Sequence, residues 1–445
     1  MILKDYLEVK GILTSMLAKL FCLDGEHKFT LSREIIGGFI NFMAIAYIIA
    51  VNPIILNADG AGFPLNAAIT STVLIIVIMT LFAAFFIRLP FVLAPGMGIN
   101  AIISYTLILH EKLDIPTVLG VILFSSLLLF VFSVSKIRQV IIHAIPEFLQ
   151  IALSAGIGFF LFMIGVKNIG LVVANPNTIV GIGKFNLDII LCCIGFIMSA
   201  VFFIKRKNYA FLLPLILITI VNAFIHPDAL PHKFIEKPDF SLFMQIDVVK
   251  ALKLSVLPAI LSLFVVNFFD ATSTTMGLLS QIKFDNQHKK VTYLKRALIT
   301  DSFGGVLSSL IGISPSVIFV ESSAAIHNGA RTGIASAVTA LLCLPFIFLS
   351  PLIAIIPDAA TSPVLMVVGL IMLSNIQRID LTNFEDTVAS MLTIVMMPLC
   401  FSITAGAIFG ILSYSLLKLF LGKYDELSPT LIVVAIVCSG WFFIN

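Results

Sequence analysis

Apolar runs recur along the chain, and many approach the roughly 20 residues that an α-helix needs to cross a bilayer. Backbone groups in lipid must be satisfied within a helix or a closed barrel. These runs lack the alternation of barrel strands, so the expected fold class is an all-α polytopic membrane protein. Fourteen segments read as crossings: 34–56, 66–87, 91–110, 117–135, 147–166, 187–204, 210–225, 257–281, 292–311, 316–328, 332–350, 360–375, 387–400 and 403–420. An apolar stretch at 429–443 spans only if untilted and is left open, and Ile12–Phe21 reads as an amphipathic surface helix.

The polar stretch from His226 to Lys253 divides the pattern into seven segments on each side, which places the two halves in opposite orientations as an inverted repeat. Two segments, the third and the tenth, look discontinuous. They are Leu89-Pro-Phe-Val-Leu-Ala-Pro-Gly-Met-Gly-Ile-Asn100 and Gly312-Ile-Ser-Pro-Ser-Val-Ile-Phe-Val-Glu321-Ser-Ser. Each begins near a proline, passes through β-favouring residues and enters a helix rich in small residues. Short strands are therefore expected near Phe91–Ala94 and Ser316–Val320, paired at the bilayer midplane because their backbone groups have no other partners in lipid.

Charge tests the count. With the N-terminus in the cytoplasm, 20 of the 27 Lys and Arg residues fall on the cytoplasmic side and 7 outside, the bias that orients helical membrane proteins. Composition agrees: 59% of residues are hydrophobic and 11% charged, too few charges to cover a water-facing surface. A net charge of +3 gives no support for a nucleic-acid partner. The six cysteines form no CxxC pair, and His110-Glu111 lacks the second histidine of a metalloprotease motif. No nucleophile–base or metal pattern appears, so the chain is not read as an enzyme. No cofactor is expected beyond a coupling gradient.

Ionisable residues inside a span are costly and usually line a cavity. Asp270 lies mid-span, Glu321 sits where the second broken segment turns helical, and Asp301 lies within the ninth segment. Structural roles compete with function at each. The hydroxyls of Thr272, Ser273 or Thr274 would hold Asp270, Glu321 would cap its own helix, and Asp301 reads as a packing or proton-network residue. A carboxylate accepts from two N–H groups at once, which suits the edge of a flat heterocycle whose polar atoms must not go unpaired in a midplane pocket. The Asn100 amide both donates and accepts. Phe268 and Phe319 are candidate stacking partners, as are Phe264 and Phe269.

Several of these stretches resemble one family. They are Leu93-Ala-Pro-Gly-Met-Gly-Ile-Asn100-Ala, Phe268-Phe-Asp270, Val320-Glu321-Ser-Ser-Ala and Gly329-Ala-Arg331-Thr-Gly333. Ala360-Thr-Ser-Pro-Val-Leu-Met-Val-Val-Gly369 and Leu392-Thr-Ile-Val-Met-Met-Pro-Leu399 add to the likeness. Together they resemble the AzgA-like adenine/guanine/hypoxanthine permeases of the nucleobase–cation symporter-2 family, over about residues 30 to 420. The resemblance implies proton-coupled uptake of purine bases across a bacterial-type inner membrane, often by a homodimer, through alternating access. It implies a core domain (31–135 and 256–350) moving against a gate domain (146–226 and 360–420). Residues 1–30 would be a cytoplasmic segment, 227–255 an extracytoplasmic linker and 421–445 a C-terminal segment. Matched by position, Asp270 and Glu321 take the places of the family's eighth- and tenth-span carboxylates, and Gly98 and Asn100 those of its third-span Gly-x-Asn. The expected substrate-binding set is Glu321, Asp270, Asn100, Gly98, Phe319 and Phe268, with Asp270 and Glu321 also coupling protons.

Two departures border that set. Phe269-Asp270-Ala271-Thr272-Ser273-Thr274 stands where the family usually reads Phe-Asp-Thr-Val-Gly-Thr, and Ser314-Pro-Ser-Val-Ile-Phe319 replaces a Thr-rich stretch. A uracil or xanthine permease is the alternative within the superfamily, and a passive channel the alternative outside it. An anion transporter of the same general fold would be expected to lack the two acidic residues.

Overall fold

The structure, a computed structural model, describes residues 20–21, 30–57, 61–135, 146–175, 179–226, 233–284, 287–380 and 382–423. The apolar stretch at 429–443 and most of Ile12–Phe21 lie outside these residues. Within them, the apolar runs fold as helices. The first run is split by a turn at Ala46 and Tyr47 into α1 (Leu31–Ile45) and α2 (Ile48–Asn57). After α3 (Leu65–Phe86) comes the first broken segment: β1 (Leu93–Pro95), then α4 (Met97–Ala101), which widens into a π-helix over Ile102–His110. Pro116, at the start of α5 (Ile115–Val134), presets the backbone for a helix whose first N–H groups need no partner.

The second stretch holds α6 (Glu147–Asn168), a hairpin of β2 (Val172–Asn175) and β3 (Ile179–Ile182), α7 (Leu187–Ile204) and α8 (Leu212–Ile225). The Asn186 side chain caps α7 by accepting from the Ile189 N–H at 2.9 Å. A short α9 (Val248–Ala251) leads to the long α10 (Leu257–Ser280) and α11 (Gln287–Ile311). Gly312 ends α11 with φ of +87°, and a Cβ there would lie 2.2 Å from the Leu242 carbonyl oxygen, so glycine is required twice over. The second broken segment follows as β4 (Ser316–Ile318) and the six-residue α12 (Ser322–His327). The remaining helices are α13 (Gly333–Cys343), α14 (Ser350–Ala354), α15 (Asp358–Leu373), α16 (Phe384–Leu399) and α17 (Ile403–Phe420).

Seven helices among the described residues are long and apolar enough to cross a membrane, with α1 and α2 counted as one; four other apolar helices are shorter. Packing sorts the elements into two groups. In one, α13 lies against α1 and α3, and α11 against α5 and α3. In the other, α6 packs against α15 and α16, α15 against α7 and α8, and α16 against α17. Contacts between the groups run mainly through α10 and α4 to α6, and through α17.

The two discontinuous segments contain strands, as their sequences imply, and the strands pair antiparallel with Leu93 opposite Ile318, Ala94 opposite Val317 and Pro95 opposite Ser316. The first strand starts two residues later than the sequence pattern places it. Side chains explain the shift. Asn41 donates to the Pro90 carbonyl at 3.1 Å, and the Ser336 hydroxyl lies 3.0 and 2.7 Å from the Leu89 and Phe91 carbonyls. The Leu89, Pro90 and Phe91 carbonyls are therefore satisfied without a strand partner, and only the Val92 carbonyl takes a backbone N–H from the opposite segment, that of Phe319 just past β4. The hairpin of β2 and β3 and the π-helix had no counterpart in the sequence reading.

Candidate functional site

A two-stranded sheet inside a helical bundle leaves backbone polar groups to be satisfied, because each unpaired one costs about 1–3 kcal/mol when buried. Every pin comes from an adjoining helix. The Thr80 hydroxyl on α3 donates to the Leu93 carbonyl at 3.1 Å and accepts from its N–H at 3.2 Å. Asp301 on α11 accepts from the Ile318 N–H at 2.8 Å, and Ser308 accepts from the Ser316 N–H at 3.0 Å. The Ser322 hydroxyl accepts from the Val92 N–H at 3.0 Å, tying the start of α12 to the opposite segment. Asp301 thus holds strand backbone, a contact the sequence reading of it as a packing or proton-network residue did not name.

Beyond the strands, the helices α4 and α12 carry the candidate residues. Glu321 occupies the N-cap position of α12, yet its side chain caps nothing. The Tyr47 hydroxyl instead donates to Glu321 Oε1 at 3.1 Å, while Oε2 is buried with no hydrogen-bond partner. Asp270 lies half-buried on α10. Asn100 is fully buried. Its amide nitrogen donates to Asn52 Oδ1, and Asn52 in turn donates to the Thr72 hydroxyl at 2.6 Å and accepts from the Ser314 hydroxyl at 3.3 Å. One asparagine on α2 therefore joins both broken segments to α3. The side-chain oxygen of Asn100, Oδ1, is buried without a partner.

A cavity of about 140 Å³ opens between the two packing groups. One wall is Gly98, Ile99, Val266, Phe269 and Asp270; the other, from α6 and the 3-10 turn Ser374–Arg378 that follows α15, includes Gln150, Ser154, Ile157, Asn375 and Arg378. Of the expected set, Asp270 and Gly98 line this cavity. Glu321 and Asn100 are not on its wall; Asn100 is held in the asparagine network. Phe269 lines the wall, while Phe268, fully buried, packs on it at 5.1 Å and 81° in a cluster with Phe264 and Leu129. Phe319 belongs to the main apolar core, its N–H donating to the Val92 carbonyl at 2.9 Å.

Sequence reasoning passed over Tyr47, Asn52, Gln150, Ser154, Asn375 and Arg378. For two of them a signal existed. Gln150 and Ser154 are polar residues four apart in an apolar run, hence on one helical face. Tyr47 carried none, since an aromatic residue in an apolar span is ordinary.

The model of a permease family that includes xanthine and uracil permeases matches residues 32–409. The chain is 33% identical to the adenine permease AdeP of Escherichia coli (strain K12) over 425 residues, 95% of each chain. It is 31% identical to the guanine/hypoxanthine permease PbuG of Bacillus subtilis (strain 168), covering 92% of this chain and 96% of that one. In fold it is similar to the transmembrane domain of the cyanobacterial bicarbonate transporter BicA. The TM-score is 0.67 at 17% identity, covering 85% of this chain and 98% of that one. It is also similar to SLC26A9, with a TM-score of 0.60 at 9% identity, covering 94% of this chain and 71% of that one. Fold alone would not separate a base carrier from an anion carrier, but the sequence match does: this chain is a multi-pass membrane protein of the xanthine/uracil permease (nucleobase–cation symporter-2) family, whose relatives include adenine and guanine/hypoxanthine permeases.

Proposed function

We propose that the protein takes up purine bases, adenine, guanine or hypoxanthine, together with protons, by alternating access. The observation that carries this reading is that Asp270 lines a cavity shared by the two helical groups, while Glu321, which opens the helix after the paired strand β4, keeps one buried carboxylate oxygen without a partner. In this reading the group holding the strands is the core domain and the group built on α6–α8 and α15–α17 is the gate. The cavity is where the two separate. The chain crosses the membrane fourteen times as a 7+7 inverted repeat, with the N-terminus in the cytoplasm of a bacterial-type cell. The strand pins support the repeat. Thr80 sits on the helix preceding the first broken segment and Asp301 on the helix preceding the second, so each strand is held by the helix before it.

Chemically, a purine entering the cavity presents ring N–H and exocyclic groups that must be paired. Asp270 on the wall is an acceptor for such donors, and the unpartnered Glu321 Oε2, buried off the wall, becomes a second one when the gate's movement widens the cavity. Phe269 offers a ring face, and Gly98 allows the start of α4 to come close. A carboxylate shielded from water also takes up a proton more readily, so recognition and coupling share the same groups. Relatives that are adenine and guanine/hypoxanthine permeases support the substrate class over uracil.

The test is uptake of radiolabelled adenine, guanine, hypoxanthine, xanthine and uracil in cells lacking their own permeases. Purine uptake is expected to exceed uracil uptake, to rise with external acid and to collapse with a protonophore. Equal uracil transport, or uptake indifferent to both pH and protonophore, would overturn the proposal.

A further inference from the structure

We propose that Tyr47 is a positioning residue that ties the Glu321 carboxylate to the gate group, so that the state of the binding site and the position of the gate are read by one side chain. The inference rests on the reading of Glu321 as a substrate-binding carboxylate.

Tyr47 sits in the two-residue turn that breaks the first span, where the backbone is freed from regular helical spacing. The Ala50 and Val51 N–H groups both donate to its carbonyl, at 3.1 and 2.9 Å, so the turn is held in place. Only 1% of the residue is exposed. A buried phenol needs an acceptor for its single O–H, and the acceptor here is Glu321 Oε1 at 3.1 Å, 274 residues away. Because Oε1 is engaged, Oε2 is the carboxylate oxygen with no partner in the protein. The phenol therefore sets which oxygen is presented to a substrate N–H.

The other end of the same side chain meets the second packing group. Its ring lies 5.1 Å from the ring of Phe211, tilted by 54°. Phe211 is the residue from which α8 starts, and its ring also meets Phe203 at the end of α7, at 6.0 Å. α7 and α8 both pack on α15, so Phe211 belongs to the gate group. A tyrosine side chain has no flexible joint between ring and hydroxyl. Sliding of α8 past Tyr47 must shift the ring, and a shift of the ring must lengthen or re-aim the hydrogen bond to Glu321. Conversely, a substrate that holds the Glu321 carboxylate fixes the ring against which Phe211 moves.

The two contacts can be removed separately. Tyr47→Phe keeps the ring on Phe211 and deletes the donor; Phe211→Leu keeps the donor and deletes the ring contact. Equilibrium binding of labelled adenine and hypoxanthine to purified protein, and counterflow exchange in proteoliposomes, report affinity and movement in turn. Tyr47→Phe is expected to weaken binding by about tenfold, the scale of one charge-assisted hydrogen bond. Phe211→Leu is expected to leave the dissociation constant within about twofold and to change the exchange rate severalfold. In a Glu321→Gln background, Tyr47→Phe should have little further effect on binding, because the interaction it removes is already altered.

Outcomes separate the two claims. If the parent binds base, Glu321→Gln weakens binding and Tyr47→Phe does not, the inference fails and the functional reading stands. If Tyr47→Phe and Phe211→Leu lower affinity and rate in the same proportion, Tyr47 is merely structural and the inference again fails. If the parent binds neither base, or Glu321→Gln binds as tightly as the parent, the placement of substrate is wrong and the inference falls with it.

Discussion

The two broken segments share a plan and differ in chemistry. Both run strand then helix, both are pinned by the helix before them, and they pair with each other. The first, through β1 and α4, is neutral throughout. Thr80 pins it, and Asn100 is absorbed into a network with Asn52, Thr72 and Ser314. The second, through β4 and α12, has two carboxylates near the C-terminal end of its strand: Asp301, from α11, accepts from the Ile318 N–H, and Glu321 opens the helix. It is also the less enclosed of the two, with Val320 56% exposed, whereas Leu93 to Pro95 and Asn100 are buried. Under the proposed function, the comparison teaches a division of labour. The neutral segment is a scaffold that brings Gly98 to the cavity wall, and the charged one would supply the group that answers to substrate and proton.

Loss of the charged group should therefore have the largest effect. Glu321→Gln replaces one acceptor by a donor, and losing a charge-assisted hydrogen bond costs roughly 1.5–3 kcal/mol, about 10- to 150-fold in affinity. Labelled-purine binding measures this. Asp270→Asn should fail differently. An amide cannot titrate, so concentrative uptake is lost while counterflow exchange, which needs no net proton flux, persists. Full concentrative uptake by Asp270→Asn would remove Asp270 from the coupling role and blur the contrast between the segments.

The neutral segment should respond through packing. A Cβ on Gly98 would lie 2.7 Å from Ile157 Cγ2, across the boundary between the two helical groups. Ile157 is β-branched and stiff within α6, so Gly98→Ala is expected to cost about 1–3 kcal/mol by overpacking. Thermal stability in detergent should fall, and Ile157→Ala in the same chain should restore part of it. A Gly98→Ala protein as stable and as active as the parent would show that the two groups do not need this close approach.

Much of this contrast was legible in the sequence. Pro and Gly at matching places in the two halves marked the broken segments, and carboxylates deep in apolar runs marked Asp270 and Glu321. Long-range hydrogen bonds were not legible. Tyr47 reaches Glu321 and Asn52 reaches Ser314 across more than half the chain, and no local pattern records such a partner. Which of the candidate phenylalanines lines the cavity was not legible either. Phe268 and Phe269 are adjacent and equally apolar, and only the rotation of α10 decides that Phe269 faces the cavity. The hairpin of β2 and β3 escaped because it lies in a connection read only for its charge.

The smallest effect tests whether the charge on Asp301 belongs with that on Glu321 or with the neutral pin on the other side. Both Asp301 and Thr80 satisfy the backbone of a strand residue, at 2.8 Å and at 3.1 and 3.2 Å. If Asp301 is a pin, Asp301→Asn still offers an oxygen to the Ile318 N–H and loses only the charge assistance. The cost is then the difference between a charged and a neutral hydrogen bond, about 1 kcal/mol. Thr80→Ser keeps both bonds of its hydroxyl and should change stability by less than about 0.5 kcal/mol beyond the lost methyl contact. Neither variant should abolish concentrative purine uptake, because neither removes a group that meets substrate. Uptake by Asp301→Asn that stays high but no longer follows external pH would place Asp301 in the proton path. The second segment would then carry two coupling carboxylates, and the resemblance between the two pins would be one of geometry alone.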